Sequence, residues 1–173
     1  GFLLRGLAFL AAFGLASVFS AAWAFSFAGW ADIGGIDGLE AHSCVHQIVV
    51  VGEALRDAGV DVVFNLYVAD PERNQDEAFA IAAQGISYFN IPVVWDVPSD
   101  ADLDLFLNLM DATKGKHVLV HCFANYRASA FTYLHRVLRG GVDPQVARKD
   151  METVWTEKAW AEYPQWRELL QRA

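Results

Sequence analysis

Residues 118–129 read VLVHCFANYRAS, and the fold prediction depends on the change from strand to helix within them. The apolar residues 118–120 have the composition of a short buried strand, and residues 128–139 are helical in pattern up to Gly140-Gly141. A histidine, a cysteine and an arginine stand between the two elements. Functional groups of α/β proteins lie at this place, where a strand has ended and a helix begins.

The same alternation of strand and helix extends over most of the chain. Strands are predicted at residues 45–51, 60–68, 86–95 and 117–120, and helices at residues 52–58, 74–83, 99–115, 128–139 and from Asp143-Pro144 onward. Pro92 predicts that the third strand is an edge strand or ends there. The pattern predicts an α/β domain with a central, mostly parallel sheet and helices on both of its faces.

The beginning of the chain is strongly apolar. Residues 6–31 carry no charge, and residues 7–16 have the composition of a secretory signal. Ala22-Trp23-Ala24 fits a cleavage site, so residues 1–24 are predicted to be a signal peptide or an uncleaved membrane anchor. Residues 25–40 are a linker or lead-in segment, and residues 41–173 form the folded domain. Both possibilities predict an exported protein: periplasmic or secreted if the segment is cleaved, and membrane-anchored if it is not.

Charge and cysteine content exclude several classes of protein. The 173 residues have a net charge of −8 and only 13 Lys and Arg, which argues against nucleic acid or anionic lipid as the main partner. Two cysteines, Cys44 and Cys122, are too few for a disulfide-rich scaffold. In an exported protein they could form one disulfide, or one of them could be a reactive thiol.

Cys122 is the candidate nucleophile. The start of a helix and the guanidinium of Arg127 both favour the thiolate form of a cysteine placed beside them. Arg127 and the loop amides can bind an oxyanion, and an arginine can hold two oxygens at once. The structural alternative is a buried cysteine at the end of a core strand.

At these residues the chain resembles the cysteine-dependent protein tyrosine and dual-specificity phosphatases, and most closely their exported bacterial relatives. The resemblance covers about residues 60–166. It includes VFNL at 63–66, GISY at 85–88, IPV at 91–93, WD at 95–96, HC at 121–122 followed by Arg127, and SAF at 129–131.

The resemblance implies hydrolysis of phosphoesters, with phosphotyrosine as one candidate, through a thiophosphate on Cys122 and without a metal or other cofactor. A phosphorylated small molecule or protein would be the substrate. Cys122, Arg127 and the general acid Asp96 would be catalytic. Six further residues would bind the substrate: His121, Phe123, Ala124, Asn125, Tyr126 and Ser129. We expect the side chain of His121 to point away from that of Cys122 and to bond loop backbone.

The loop departs from the family pattern in three ways. Four residues separate Cys122 from Arg127, where the family usually has five. The usual glycine is absent, and Asn125 is the residue that best tolerates a left-handed backbone in its place. The hydroxyl that normally follows the arginine directly is displaced by one position to Ser129.

Two other functions remain open. A Cys-x4-Arg loop is also typical of rhodanese-like sulfurtransferases, which would carry a persulfide on Cys122. A non-catalytic exported protein that binds an oxyanion or a metal is the other possibility. The residues that could form a zinc or copper site are His42, Cys44, His46, His117, His121 and Cys122, although the sequence has no CxxC pair and nothing in it brings the two segments together.

Four aromatic residues are concentrated near the end of the chain: Trp155, Trp160, Tyr163 and Trp166. They predict packing of terminal helices onto the sheet, with a recognition surface as the alternative.

Overall fold

The computed structural model describes residues 52–173. Three strands and seven helices follow one another in these residues. In chain order they are α1 (Gly52–Asp57), β1 (Val62–Asn65), α2 (Glu77–Ala82), β2 (Ser87–Asn90), α3 (Asp100–Ala112), β3 (Val118–His121), α4 (Tyr126–Leu138), α5 (Pro144–Met151), α6 (Glu157–Glu162) and α7 (Pro164–Arg172).

The described strands form a parallel sheet in the order β2-β1-β3. Val63 of β1 pairs with Tyr88 on one side and Leu119 on the other. All four residues of β1 are buried, as expected for the middle strand of a sheet that is covered on both faces. The predicted parallel sheet is therefore confirmed, although each strand is shorter than its apolar run. The strand predicted at residues 45–51 lies outside the described residues.

β2 is at an edge of this sheet and ends at Asn90, before Pro92. This agrees with the effect expected of Pro92, which has no amide hydrogen to donate to a neighbouring strand. The segment after β2 then leaves the sheet and leads to Trp95 and Asp96.

Alternate residues of the strands supply two hydrophobic cores, one on each face of the sheet. On one face Val63 packs with Leu55, Ile81 and Ile86, so α1 and α2 cover this face. On the other face Val62, Phe64, Val118 and Val120 join a larger core with residues of α3, α4 and the C-terminal helices. Helices thus flank both faces, as the sequence predicted.

Two helices begin at the caps expected from the sequence. The hydroxyl of Ser99 accepts a hydrogen bond from the amide of Asp102 and donates one to the Asp102 carboxylate at 2.7 Å. The carboxylate of Asp143 accepts from the amides of Gln145 and Val146, with Pro144 in the first turn. Such caps satisfy amides that have no partner within the helix, and each contributes about 1 kcal/mol.

The aromatic residues near the end of the chain pack against the domain, as predicted. Trp155 and Trp166 are almost completely buried, and the ring of Trp166 lies 5.2 Å from that of Trp95. Trp155 stacks on Trp160 at 4.2 Å. The C-terminal helices therefore reach the segment that carries Trp95, far away in sequence.

Residues 1–51 are outside the described part, and with them the predicted signal peptide, the linker and Cys44. Between residues 52 and 173, every helix is too short or too polar to cross a lipid bilayer.

We expect acid to destabilise this fold partly through His135 on α4. Burial lowers the pKa of His135 because a charged imidazolium would lose its hydration; the positive charge of Arg139 also lowers it, and Asp111 opposes the change. The unfolded chain therefore takes up a proton near pH 6.5, before the folded chain does, and the free energy of unfolding falls as the pH drops through that value.

Urea denaturation at pH 7.5 and pH 5.0 measures this effect. The His135→Asn variant should lose less stability between the two pH values than the parent. His117 is exposed, so His117→Asn should lose as much as the parent. An undiminished loss in His135→Asn would show that His135 does not contribute.

Candidate active site

The loop between β3 and α4 reverses the chain within a few residues. β3 ends at His121, Cys122 follows, and α4 already begins at Tyr126. Asn125 makes the reversal with a left-handed backbone, φ 64°, and it is the only non-glycine residue with positive φ in residues 52–173. This confirms the conformation predicted for Asn125 in place of the family's glycine. Arg127 consequently stands in the first turn of α4.

The Cys122 sulfur and the Arg127 guanidinium interact electrostatically. Burial lowers the pKa of the Arg127 guanidinium, while the charge of the Cys122 sulfur and a hydrogen bond to it act in the opposite direction. The exposed fraction is 6% for Arg127 and 0% for Cys122. The structure thus brings the sulfur and the guanidinium together at the end of β3, and it also places Cys122 among the residues of the larger core.

Three groups from other parts of the chain fix the position of Arg127. Its Nε donates a hydrogen bond to the carbonyl of Val93 at 2.9 Å. Its guanidinium carbon lies 5.4 Å from the ring centre of Tyr67 and 5.0 Å from that of Trp95. Aromatic faces stabilise a cation at such distances. Because Nε is used by Val93, the two terminal nitrogens are the ones that can bind an oxyanion bidentately.

Asp96 lies on the same side of the domain as Arg127. The negative charge of Asp96 partly opposes the lowering of the Arg127 pKa by burial, and the Asp96 side chain is exposed to solvent. The preceding residue is held from behind, since the carbonyl of Trp95 accepts hydrogen bonds from Trp166 Nε1 at 3.0 Å and Gln165 Nε2 at 3.3 Å. In its protonated form the Asp96 carboxyl is therefore the candidate proton donor to a group bound by Arg127.

The nearby acidic residues have other partners. Asp100 binds Arg172 at 3.1 Å, and Asp102 belongs to the cap of α3. Both are therefore structural or surface groups.

Loop residues 123–126 form the wall around the cysteine. Phe123 stacks on Tyr67 with ring centres 5.4 Å apart, and both Phe123 and Ala124 are partly exposed. Tyr126 packs against Trp155 at 4.8 Å, and its carbonyl accepts a hydrogen bond from Trp155 Nε1. The loop is thus supported from behind by the C-terminal part of the chain.

His121 does not have the role expected of it. Its side chain points away from that of Cys122, as the strand alternation predicted, but it contacts a carboxylate and not the loop backbone. Nε2 lies 2.7 Å from Glu77 Oε1, and neither side chain is exposed. The prediction that His121 bonds the loop backbone is therefore wrong, because α2 places a buried acid next to it. The assignment of His121 to substrate binding stays a prediction.

The hydroxyl of Ser129, predicted to bind substrate, is bonded to backbone carbonyls in the structure. Its hydroxyl donates to the carbonyl of Asn125 at 2.7 Å and also contacts that of Tyr126 at 3.1 Å. One added position on an α-helix turns a side chain by about 100°. The displaced serine therefore reaches the backbone of its own helix.

Sequence reasoning missed three groups of the site: Tyr67, the Val93 carbonyl and Glu77. A helical pattern gives one available signal, since Glu77 lies four residues before the buried Ile81 and so on the same face of α2. The contacts of Tyr67 and Val93 depend on how separate loops meet, and no local pattern indicates them.

No group of His, Cys, Asp and Glu in residues 52–173 is arranged to hold a metal ion. His117 lies just before β3, and its Nδ1 is 2.9 Å from the Gly59 carbonyl. His121 lies at the end of β3 and pairs with Glu77. Four residues of strand rise separate the two histidines by about 13 Å. His42, Cys44 and His46 lie outside the described residues.

Comparisons with known proteins agree on the fold. No protein-family model and no curated protein matches the chain. A crystal structure of a protein from Shewanella putrefaciens CN-32, described as a candidate phosphatase (DUF442), is 40% identical with a TM-score of 0.64 and covers 72% of this chain and 77% of its own.

More distant structures show the fold alone. P. aeruginosa TpbA, as a cysteine-to-serine variant in complex with phosphotyrosine, is 18% identical with a TM-score of 0.56, over 72% of this chain and 74% of its own. Kinase associated phosphatase is 16% identical with a TM-score of 0.54, over 70% and 76%. On the identity and coverage of the Shewanella protein, this chain belongs to the DUF442 family, with the fold of the tyrosine and dual-specificity phosphatases.

Proposed function

We propose that this chain is a cysteine-dependent phosphatase that hydrolyses phosphomonoesters and prefers aryl phosphates such as phosphotyrosine. The observation that carries the proposal is the contact between the Cys122 sulfur and the buried Arg127 guanidinium. We also propose that it acts outside the cytoplasm, either released after signal cleavage or held by the apolar N-terminal segment. The support for export is the uncharged run at residues 6–31.

In the first step the Cys122 thiolate attacks phosphorus. The bond from phosphorus to the ester oxygen breaks, its electron pair stays on that oxygen, and the oxygen takes a proton from the Asp96 carboxyl. Arg127 and the amides at the start of α4 hold the remaining phosphoryl oxygens as charge shifts among them. The product is a thiophosphate on Cys122.

In the second step water attacks the phosphorus of the thiophosphate and gives a proton to Asp96. The phosphorus–sulfur bond breaks, phosphate leaves, and the thiolate is restored. The Ser129 hydroxyl is bonded to loop carbonyls, so Arg127 and the start of α4 are the groups that stabilise the departing sulfur.

Aromatic side chains around Arg127 support the preference for aryl substrates. The rings of Tyr67 and Trp95 face the guanidinium, and Phe123 extends this wall beside the nucleophile. Such rings can pack against a phenyl group. Since Cys122 is fully buried, surrounding side chains must move for a phosphoryl group to reach the sulfur.

The same burial of Cys122 favours a second candidate function. A domain that binds an oxyanion through Arg127 without attacking it would need no access to the sulfur. The Cys-x4-Arg spacing similarly keeps a sulfurtransferase as the alternative enzyme.

Substitution of Cys122 and Arg127 tests the phosphatase. Phosphate release from p-nitrophenyl phosphate by the reduced protein should be abolished in Cys122→Ser. In Arg127→Lys, which cannot hold two oxygens in the same way, kcat should fall about 10²- to 10³-fold. His117→Asn, at the opposite end of β3, is the control and should keep the parental rate.

Two other outcomes would replace the proposal. Equal trace release from all variants, with a persulfide formed on thiosulfate by the parent alone, would indicate a sulfurtransferase. No turnover together with phosphate binding that requires Arg127 would indicate the non-catalytic domain.

The role of Asp96 is tested by the leaving group. Asp96→Asn should lower kcat about 10²-fold or more on phenyl phosphate, whose departing oxygen needs a proton, and much less on p-nitrophenyl phosphate. Asp100→Asn is the matched control, because Asp100 binds Arg172, and it should behave as the parent on both substrates. Equal losses on both substrates in Asp96→Asn would exclude proton donation by Asp96.

A further inference from the structure

Glu77 is a buried acid that the proposed reaction does not use. Its side chain on α2 has no exposed surface, whereas glutamates are almost never fully buried without partners. Oε2 accepts a hydrogen bond from Asn65 Nδ2 at 3.1 Å, and Oε1 lies 2.7 Å from His121 Nε2. Asn65 Nδ2 also donates to the Tyr88 hydroxyl at 2.9 Å, which places that hydroxyl beside the carboxylate.

Burial of such a group is costly, so its retention calls for a physical reason. Removing a carboxylate from water costs several kcal/mol, and a well-packed apolar cluster of similar size often serves stability equally well. Burial and the negative charge of Glu77 raise the pKa of Tyr88, so the hydroxyl stays a donor to the acid. Side chains from β1, β2 and β3, namely Asn65, Tyr88 and His121, therefore meet at one carboxylate.

Two of these side chains, His121 and Asn65, belong to residues next to the candidate active site. His121 immediately precedes Cys122. Oδ1 of Asn65 accepts a hydrogen bond from the Tyr67 amide at 2.7 Å, and the Tyr67 ring faces Arg127 and stacks on Phe123. One carboxylate is thus connected with the residues on both sides of the sulfur–guanidinium contact.

We propose that Glu77 is a positioning residue for the Cys122–Arg127 pair. It holds the carboxyl ends of β1 and β3 in a fixed relation, so that the Tyr67 side of the site and the cysteine keep their spacing. The predicted effect of Glu77 on turnover rests on the phosphatase function proposed above. Its predicted effect on the reactivity of the Cys122 thiol does not.

Glu77→Gln is the direct test because it keeps the size of the side chain. An amide has one acceptor oxygen and an NH2 group that only donates. It therefore cannot replace the carboxylate as the common partner of Asn65, Tyr88 and His121. The full chain is used in a Cys44→Ser background, which leaves Cys122 as its single cysteine. Two quantities are measured: kcat and KM on an aryl phosphate, and the rate of alkylation of the native thiol by iodoacetamide.

We expect kcat to fall about 10²-fold with little change in KM, as for misplacement of reacting groups by about 1 Å. We also expect the alkylation rate at pH 6, divided by the rate at pH 9, to fall about tenfold. Reactivity at low pH depends on support of the thiolate by a correctly placed Arg127.

Ile81→Val controls for a general weakening of α2. Ile81 is fully buried on the same helix and packs in the smaller core, so this variant loosens the helix without touching the carboxylate. It should keep the parental kcat and alkylation ratio. Tyr88→Phe is a milder second variant that removes one donor; it should change both quantities in the same direction as Glu77→Gln, by less, and it serves if Glu77→Gln does not fold.

Parental values in both Glu77→Gln and Tyr88→Phe would overturn the inference, as would an equal change in Ile81→Val. If the thiol of the parent is alkylated but the parent does not hydrolyse phosphoesters, the proposed function is refuted. The alkylation ratio then still decides whether Glu77 positions the pair. A parent whose native thiol does not react at all would overturn both.

Discussion

A guanidinium buried against a sulfur is the constraint on which the candidate site depends. Arg127 loses most of its hydration, and this cost is offset by contacts from separate parts of the chain: the carbonyl of Val93, the faces of Tyr67 and Trp95, and the sulfur of Cys122. These partners come from the segments that follow the three strands: Tyr67 after β1, Val93 and Trp95 after β2, and Cys122 after β3. The parallel sheet brings these segments together because its strands all end at the same edge.

The short loop determines several features of this site. With only four residues between Cys122 and Arg127, the chain needs a sharp reversal, and Asn125 provides it with a left-handed backbone. α4 then begins at once, which turns the hydroxyl of Ser129 onto the Asn125 carbonyl. In the proposed reaction Arg127 and the start of α4 therefore stabilise the departing sulfur, because the Ser129 hydroxyl is bonded to backbone.

Tryptophan side chains connect the two segments of the site from behind. A buried indole needs an acceptor for its N–H group, and here the acceptors are backbone carbonyls of the site itself. Trp155 donates to Tyr126 and Trp166 donates to Trp95, the residue before Asp96. The end of the chain therefore places the cysteine loop and the acid segment relative to each other, and on the opposite face Glu77 connects β1 with β3.

Local patterns in the sequence determined the class of the fold and the first members of the site. Alternating apolar runs, caps such as Ser99 and Asp143, and the position of Pro92 depend on neighbouring residues, so they could be predicted without a partner segment. The left-handed Asn125 also followed from its residue type. The tertiary structure alone decided the partners of buried polar groups. His121 was expected to bond the loop, but it pairs with Glu77 of α2. Ser129 was expected to bind substrate, and its hydroxyl donates to the backbone carbonyl of Asn125. Such pairings depend on which segments pack together, and a buried polar group takes the partner that the packing supplies.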